Sequence, residues 1–196
     1  MAYLKCLANC GTEPGLTVPL LDSTLNWLGN STADQLRIEE VLATQVTPNS
    51  RLLHVGIGNS GLAKRFYKRV CQIEGITLGR REEEVAVVAN ISNYHVHLVN
   101  KYSEDLPTRL QPPFNFIIDN NLASYACCVH HFHSMMQNYV SMLLIGGKIL
   151  SDRIGLRHVA NDENWDLTGD LEALAKHFSL KLTAETDFVY SFTHEL

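Results

Sequence analysis

Three closely spaced glycines form the segment of this sequence with the clearest chemical meaning. Gly56, Gly58 and Gly61 follow a short apolar run at 52–55, and a helical pattern begins at Leu62. Glycines at such a turn let the backbone bend sharply and approach a ligand, while the start of the next helix offers free N–H groups. The segment therefore predicts a site for a nucleotide or a nucleotide-like cofactor.

A second concentration of reactive residue types lies at 119–133, where Asp, Asn, Tyr, Cys and His occur together. Histidine is a natural general base because its unperturbed pKa lies near neutral pH. Cys127 and His131 share one helix face, and His130 and His133 share another. One helix cannot gather all four as ligands, and the sequence has no Cys-x-x-Cys partner. We expect proton transfer here and no metal site.

These residues must be positioned by strands that alternate with helices. The apolar periodicity predicts strands at 52–55, 75–80, 95–99, 114–119 and 148–151, and a terminal antiparallel pair at 180–183 and 188–192. Helices are predicted at 32–42, 62–73, 82–91, 129–144 and 171–178, with Gly146 and Gly147 ending the fourth. This alternation predicts an α/β fold, a doubly wound and mostly parallel sheet with helices on both faces. Ligands of such sheets bind at the carboxyl ends of the strands.

The bulk properties predict one domain over residues 1–196, with an N-terminal helical extension or lid at 1–47 and a cofactor-binding core at 48–196. The net charge of -5 gives no electrostatic footprint for nucleic acid. Five cysteines, two of them adjacent, do not form a secreted disulfide pattern. No apolar stretch suits a membrane helix. We therefore expect a cytoplasmic protein with a small-molecule substrate.

Four segments, in this order and spacing, resemble the class I S-adenosylmethionine-dependent methyltransferase superfamily. They are the glycine loop 56–60, the second strand 75–78, the segment 98–107, and the stretch 114–121 with its helix and the turn at 144–150. The resemblance implies a Rossmann-like methyltransferase fold in a divergent member. It also implies S-adenosylmethionine as cofactor and methyl transfer to a small-molecule acceptor.

The resemblance also implies roles for particular residues. The methionine portion of the cofactor would be approached by His54, Gly56, Gly58, Asn59 and Ser60. Ribose and adenine would be surrounded by Gly79, Arg80, Tyr102 and Ser103. Asn120 would also contact the cofactor, and the catalytic residues facing the acceptor would be Asp119, His130 and His131.

Three positions depart from the superfamily pattern, which usually has acids there. His54 stands two residues before the first glycine, Arg80 follows the second strand, and Tyr102 stands near the adenine. A carboxylate accepts hydrogen bonds from a ribose diol, whereas Arg accepts none. Glu82 reaches the ribose if the end of the second strand aligns with the superfamily pattern two residues further along the chain. A catalytically inactive binding protein with the same fold is therefore an alternative.

An NADP-dependent oxidoreductase is a further alternative. The loop satisfies Gly-x-Gly-x-x-Gly, and Arg80 lies 24 residues after Gly56, where an Arg accommodates a 2′-phosphate. The segment 104–107 and the turn at 146–147 match the methyltransferase layout instead. They favour the methyltransferase interpretation.

Overall fold

A central seven-stranded sheet organises the chain in a computed structural model that describes residues 27–123, 129–160 and 163–195. Its strands are β1 (Arg51–Val55), β2 (Gln72–Thr77), β3 (Tyr94–Leu98), β4 (Phe114–Ile118), β5 (Leu143–Asp152), β8 (Leu180–Ala184) and β9 (Val189–His194). A separate hairpin consists of β6 (Arg157–Ala160) and β7 (Glu163–Asp166). The sheet order is β3-β2-β1-β4-β5-β9-β8; the first five strands are parallel, and β9 is antiparallel to β5 and β8.

Helices cover both faces of this sheet. They are α1 (Ala33–Gln45), α2 (Gly61–Phe66), α3 (Arg80–Ala89), α4 (Leu106–Arg109), α5 (Val129–Met142) and α6 (Leu171–His177). Helices α1, α2 and α3 contribute to one apolar cluster, and α4, α5 and α6 to another. Leu52 belongs to the first cluster and its neighbour Leu53 to the second. The continuous apolar run of β1 arises because successive side chains enter opposite cores.

The strand order places a crevice at the carboxyl ends of β1 and β4. From β1 the chain proceeds outward through β2 and β3, then returns to the other side of β1 with β4 and β5. Ligands of open α/β sheets bind where the order reverses in this way. The predicted doubly wound fold is confirmed, and so is the terminal antiparallel pair.

Several predicted boundaries were wrong. Helix α2 ends at Phe66, and β2 begins at Gln72 and ends at Thr77. Its start looked polar because it contains Glu74, a buried carboxylate that accepts hydrogen bonds from the backbone N–H of Gln111.

The predicted helix stop at the glycine pair was also wrong, because α5 ends at Met142 and both glycines lie in β5. A Cβ on Gly147 would stand 3.0 Å from the backbone oxygen of Phe114, so glycine is needed there for strand packing. The hairpin of β6 and β7 was not predicted. No helix in the described ranges is long and apolar enough to cross a membrane.

Candidate functional site

The glycine loop begins where β1 ends and closes into α2. Gly56 and Gly58 adopt positive φ angles of 73° and 51°, and Ser60 adopts one of 61°. The loop is fixed by the backbone N–H of Gly56, which donates to the oxygen of Ile76 at 2.9 Å, and by that of Ser60, which donates to Ile57 at 2.8 Å. Glycine is favoured at 56 and 58 because residues that carry a side chain rarely adopt positive φ angles.

The segment 27–32 crosses directly over this loop. A Cβ on Gly58 would stand 2.9 Å from the backbone oxygen of Trp27, and one on Gly61 would stand 2.6 Å from Ser31 Oγ. The Asn59 side chain donates to the backbone oxygen of Gly29 and accepts from the N–H of Gly61. The glycines permit close approach of another backbone, and the backbone that approaches is the chain's own segment 27–32.

A buried carboxylate, that of Glu82, lies beside the loop. Its Oε2 accepts from Thr77 Oγ1 at 2.6 Å and from the backbone N–H of Gly58 at 3.2 Å, and its Oε1 accepts from the N–H of Trp27 at 2.6 Å. Thr77 is the last residue of β2, so Glu82 provides an acid at the carboxyl end of that strand. Gly79, whose N–H donates to Thr77 Oγ1, precedes α3.

Glu82, weighed from the sequence as an alternative ribose acid, is the acid that contacts the glycine loop and the end of β2. Arg80 is the exposed first residue of α3. Thr77 was not predicted, because the strand was expected to end at Arg80. The contact from the Trp27 backbone to Glu82 was not predicted either, because a backbone donor leaves no signal in a sequence.

His54, next to the loop, has a buried polar side chain whose hydrogen-bonding capacity is not used by the described residues. Its side chain is 3% exposed, and neither ring nitrogen has a hydrogen-bond partner among the described residues. Burial lowers the pKa of His54 to about 4, so the imidazole is neutral at physiological pH. A neutral imidazole has one donor and one acceptor to offer a ligand.

His54 and the glycine loop border a small cleft, with a cavity volume of about 50 Å³, that is open to solvent. It is lined by Trp27, Gly29, Ser31, Thr32, Gln35, His54, Gly56, Ile57, Gly58, Asn59, Gly61, Leu62 and Asn120. The cleft therefore joins the glycine loop, the end of β4 and the start of α1. It brings together His54, most of the predicted loop residues and Asn120.

Asp119, at the end of β4, lies in a buried ionic network. Its Oδ2 is 3.0 Å from both Lys101 Nζ and the Tyr139 hydroxyl, and its Oδ1 accepts from the N–H of Asn121 at 3.0 Å. Lys101 also donates to the backbone oxygen of Asn121 at 2.6 Å. Burial lowers the pKa of Lys101, and the Asp119 carboxylate opposes that effect. Burial and the same carboxylate raise the pKa of Tyr139.

Solved structures share this architecture, although no family model and no curated protein matches the chain. A TehB-like SAM-dependent methyltransferase from Corynebacterium glutamicum is 13% identical, with a TM-score of 0.62, over 81% of this chain and 87% of that one. The N-methyltransferase NodS from Bradyrhizobium japonicum is 13% identical, with a TM-score of 0.61, over 82% and 94%. An rRNA methylase from Streptococcus thermophilus is 10% identical, with a TM-score of 0.56, over 86% and 100%.

The chain has the class I S-adenosylmethionine-dependent methyltransferase fold. Within this methyltransferase fold, Tyr102 and Ser103 follow β3. Tyr102 packs in the apolar cluster of α4 and α5, and Lys101 Nζ stands 5.3 Å from its ring centroid. Ser103 Oγ donates to Asp105 Oδ1 at 2.8 Å. Tyr102 and Ser103 are not among the residues that line the cleft.

The remaining predicted residues of the methyltransferase fold lie after β4. Asn120 donates to Asp34 Oδ2 at 2.9 Å, which ties the end of β4 to α1. His131 is buried in α5, and His130 belongs to the same helix. The side chain of His130 and the segment 124–128, with its tyrosine and two cysteines, lie outside the described parts. Among the residues that are described, no group of three or more His, Cys, Asp or Glu is placed to hold a metal.

Proposed function

We propose that this chain is an S-adenosylmethionine-dependent methyltransferase that acts on a small-molecule acceptor. The observation that carries the proposal is the buried Glu82 carboxylate, hydrogen-bonded to the Gly58 amide at the carboxyl end of β2 within a methyltransferase fold. Such a carboxylate accepts hydrogen bonds from both hydroxyls of a ribose. Glu82 thereby fills the role for which Arg80 is chemically unsuited.

The residues of the cleft fit such a cofactor. Glu82 would hold the ribose, and the loop residues Gly56 to Ser60 would hold the methionine portion. His54, with two buried and unpartnered nitrogens, would donate to the cofactor carboxylate or accept from its ammonium group. Gly79, Arg80, Tyr102 and Ser103 remain proposed neighbours of ribose and adenine. The cofactor supplies a methyl group activated by its sulfonium charge.

The acceptor side is proposed to lie beyond β4. Asp119 already accepts hydrogen bonds from Lys101, Tyr139 and Asn121, so we assign it to positioning the turn that carries Asn120. His130 and His131 on α5 are the proposed bases for any proton that the acceptor loses. Holding donor and acceptor in line lowers the barrier, because the displacement becomes effectively unimolecular.

A small molecule is favoured over nucleic acid by the net charge and by the way the basic side chains of α2 and of the turn after it are used. Lys64 donates to the backbone oxygen of Asn59 at 2.6 Å, and Arg65 donates to Glu40 at 2.7 Å. Arg69 donates to the backbone oxygen of Ala43 at 2.7 Å. Of these three, Arg65 is paired with acids, and the net charge of -5 leaves little positive potential overall for a phosphate backbone. We assign the protein to the cytoplasm on its cysteine usage.

A second candidate is a binding protein with this fold and no catalysis. It is favoured by the N–H of Trp27, which already occupies Glu82. An NADP-dependent oxidoreductase is less favoured, because the Glu82 carboxylate would repel a 2′-phosphate at the end of β2.

Calorimetry with S-adenosylhomocysteine and NADPH, each titrated into the full-length protein, separates these candidates. If the chain is a methyltransferase, S-adenosylhomocysteine should bind far more tightly than NADPH. Binding without methyl transfer to any member of an acceptor panel would favour the inactive protein. The absence of heat with millimolar S-adenosylhomocysteine would overturn the cofactor assignment.

A further inference from the structure

Residues 27–32, called the strap from here on, connect the ribose-side acid to helix α1. At one end the N–H of Trp27 donates to Glu82. In the middle the backbone oxygen of Gly29 accepts from Asn59. At the other end Ser31 packs against Gly61, and α1 begins at Ala33. The strap therefore runs over the whole glycine loop, the surface on which a cofactor would lie.

The three donors to Glu82 have different origins. Thr77 Oγ1 and the Gly58 N–H belong to β2 and to the loop, and both donate to Oε2. The Trp27 N–H comes from a segment 55 residues away and donates to Oε1 at 2.6 Å. A ribose diol needs Oε1 of this carboxylate, because Oε2 already accepts two hydrogen bonds. The Trp27 N–H and a ribose hydroxyl therefore compete for the same acceptor atom.

Within the part of the chain that the structure describes, few interactions hold the strap against release. The Trp27 side chain is 61% exposed, so its indole is largely uncommitted to the core. The contacts on the loop are polar ones, from the backbone of Trp27 and the side chain of Asn59. Backbone and amide groups released from such contacts are hydrated again by water, which makes their net cost small.

The geometry points to a self-occupied cofactor site, in which the Trp27 N–H takes the place of a ribose hydroxyl and the strap must leave when the cofactor binds. This inference rests on the proposed function. Because only molecules with an open strap can bind the cofactor, the apparent affinity is the intrinsic affinity multiplied by the open fraction. Cofactor binding and strap closure are thereby mutually exclusive states of one site.

Amide hydrogen exchange of the full-length protein tests the inference directly. We expect peptides that cover the strap to exchange faster at saturating S-adenosylhomocysteine, while peptides from the glycine loop exchange more slowly. Displacement uniquely predicts this opposition, because a segment that closes over a ligand is protected by it. Slower or unchanged exchange of the strap, with ligand bound, would overturn the inference and leave the proposed function intact.

Two substitutions at Trp27 provide the affinity test. Trp27→Pro removes the N–H donor, and Trp27→Ala retains it as a matched control. Loss of one hydrogen bond to a charged acceptor should tighten S-adenosylhomocysteine binding about tenfold in the proline variant and leave the alanine variant near wild type. Weaker or unchanged binding by the proline variant would contradict displacement. Binding by neither the wild type nor the proline variant would overturn both proposals.

Discussion

Replacing His54 with Phe should remove a specific part of the pH dependence of stability. In an unfolded chain the imidazole has a pKa near 6.5, and burial lowers the pKa of His54 to about 4 in the folded protein. Between these values the unfolded chain binds a proton that the folded protein does not. Stability is therefore lost as the pH falls through this range and is restored as it rises.

The size of the effect follows from the two pKa values. For a pKa near 6.5 in the unfolded chain and about 4 in the folded protein, the free energy of unfolding falls by about 2 kcal/mol between pH 8 and pH 5. Other titrating groups act on the wild-type and the variant alike, so the difference between the two proteins isolates His54. The His54→Phe variant should lack this decrease.

Urea unfolding at pH 5 and pH 8 measures the difference. His95→Phe, at an exposed position of β3, controls for the introduction of a phenyl ring. Parallel pH dependences of wild-type protein and His54→Phe, within about 0.5 kcal/mol, would refute the assignment of a buried neutral imidazole. That result would also remove His54 as a neutral partner for the cofactor.

Two further comparisons of variants test how the turn after β4 is held. Lys101→Met leaves Asp119 charged and buried, so thermal unfolding should show a loss of about 3–5 kcal/mol, and adding Asp119→Asn should recover part of it; an unchanged melting temperature would contradict the network. Gly155→Ala places a Cβ on the backbone oxygen of Asn120 and should be strongly destabilising. Gly169→Ala, whose Cβ has no described atom within 4 Å, should be nearly neutral; equal melting temperatures of the two alanine variants would refute this packing.

The sequence predicted those parts of the fold that depend on local patterns. Leu52 and Leu53 are both buried because β1 has a core on each side, and this produces a continuous apolar run. The glycine loop was predictable because positive φ angles at Gly56 and Gly58 favour one residue type. The antiparallel pair at the end of the chain was predictable from two short apolar segments.

The site was less predictable, because its contacts join distant segments. Because β2 begins with polar residues, the predicted strand started and ended too far along the chain. Its true end at Thr77, and the position of Glu82 beside that end, were therefore hidden. The bond from Trp27 spans 55 residues and uses a backbone donor, so side-chain identity carries no trace of it. The pairing of Lys101 with Asp119 likewise requires β3 and β4 to be placed in three dimensions before it can be recognised.

The most direct test of the account is the affinity of Glu82→Gln for S-adenosylhomocysteine, measured by calorimetry beside Glu83→Gln. Glu83 is the next residue of α3 and is half-buried, whereas Glu82 is buried. The amide that replaces the Glu82 carboxylate weakens two hydrogen bonds to the ribose but only one to the strap. We therefore expect the affinity for S-adenosylhomocysteine to fall about tenfold. Glu83→Gln should bind like the wild type. Equal affinities of all three proteins would contradict Glu82 as the ribose acid, on which the proposed function rests.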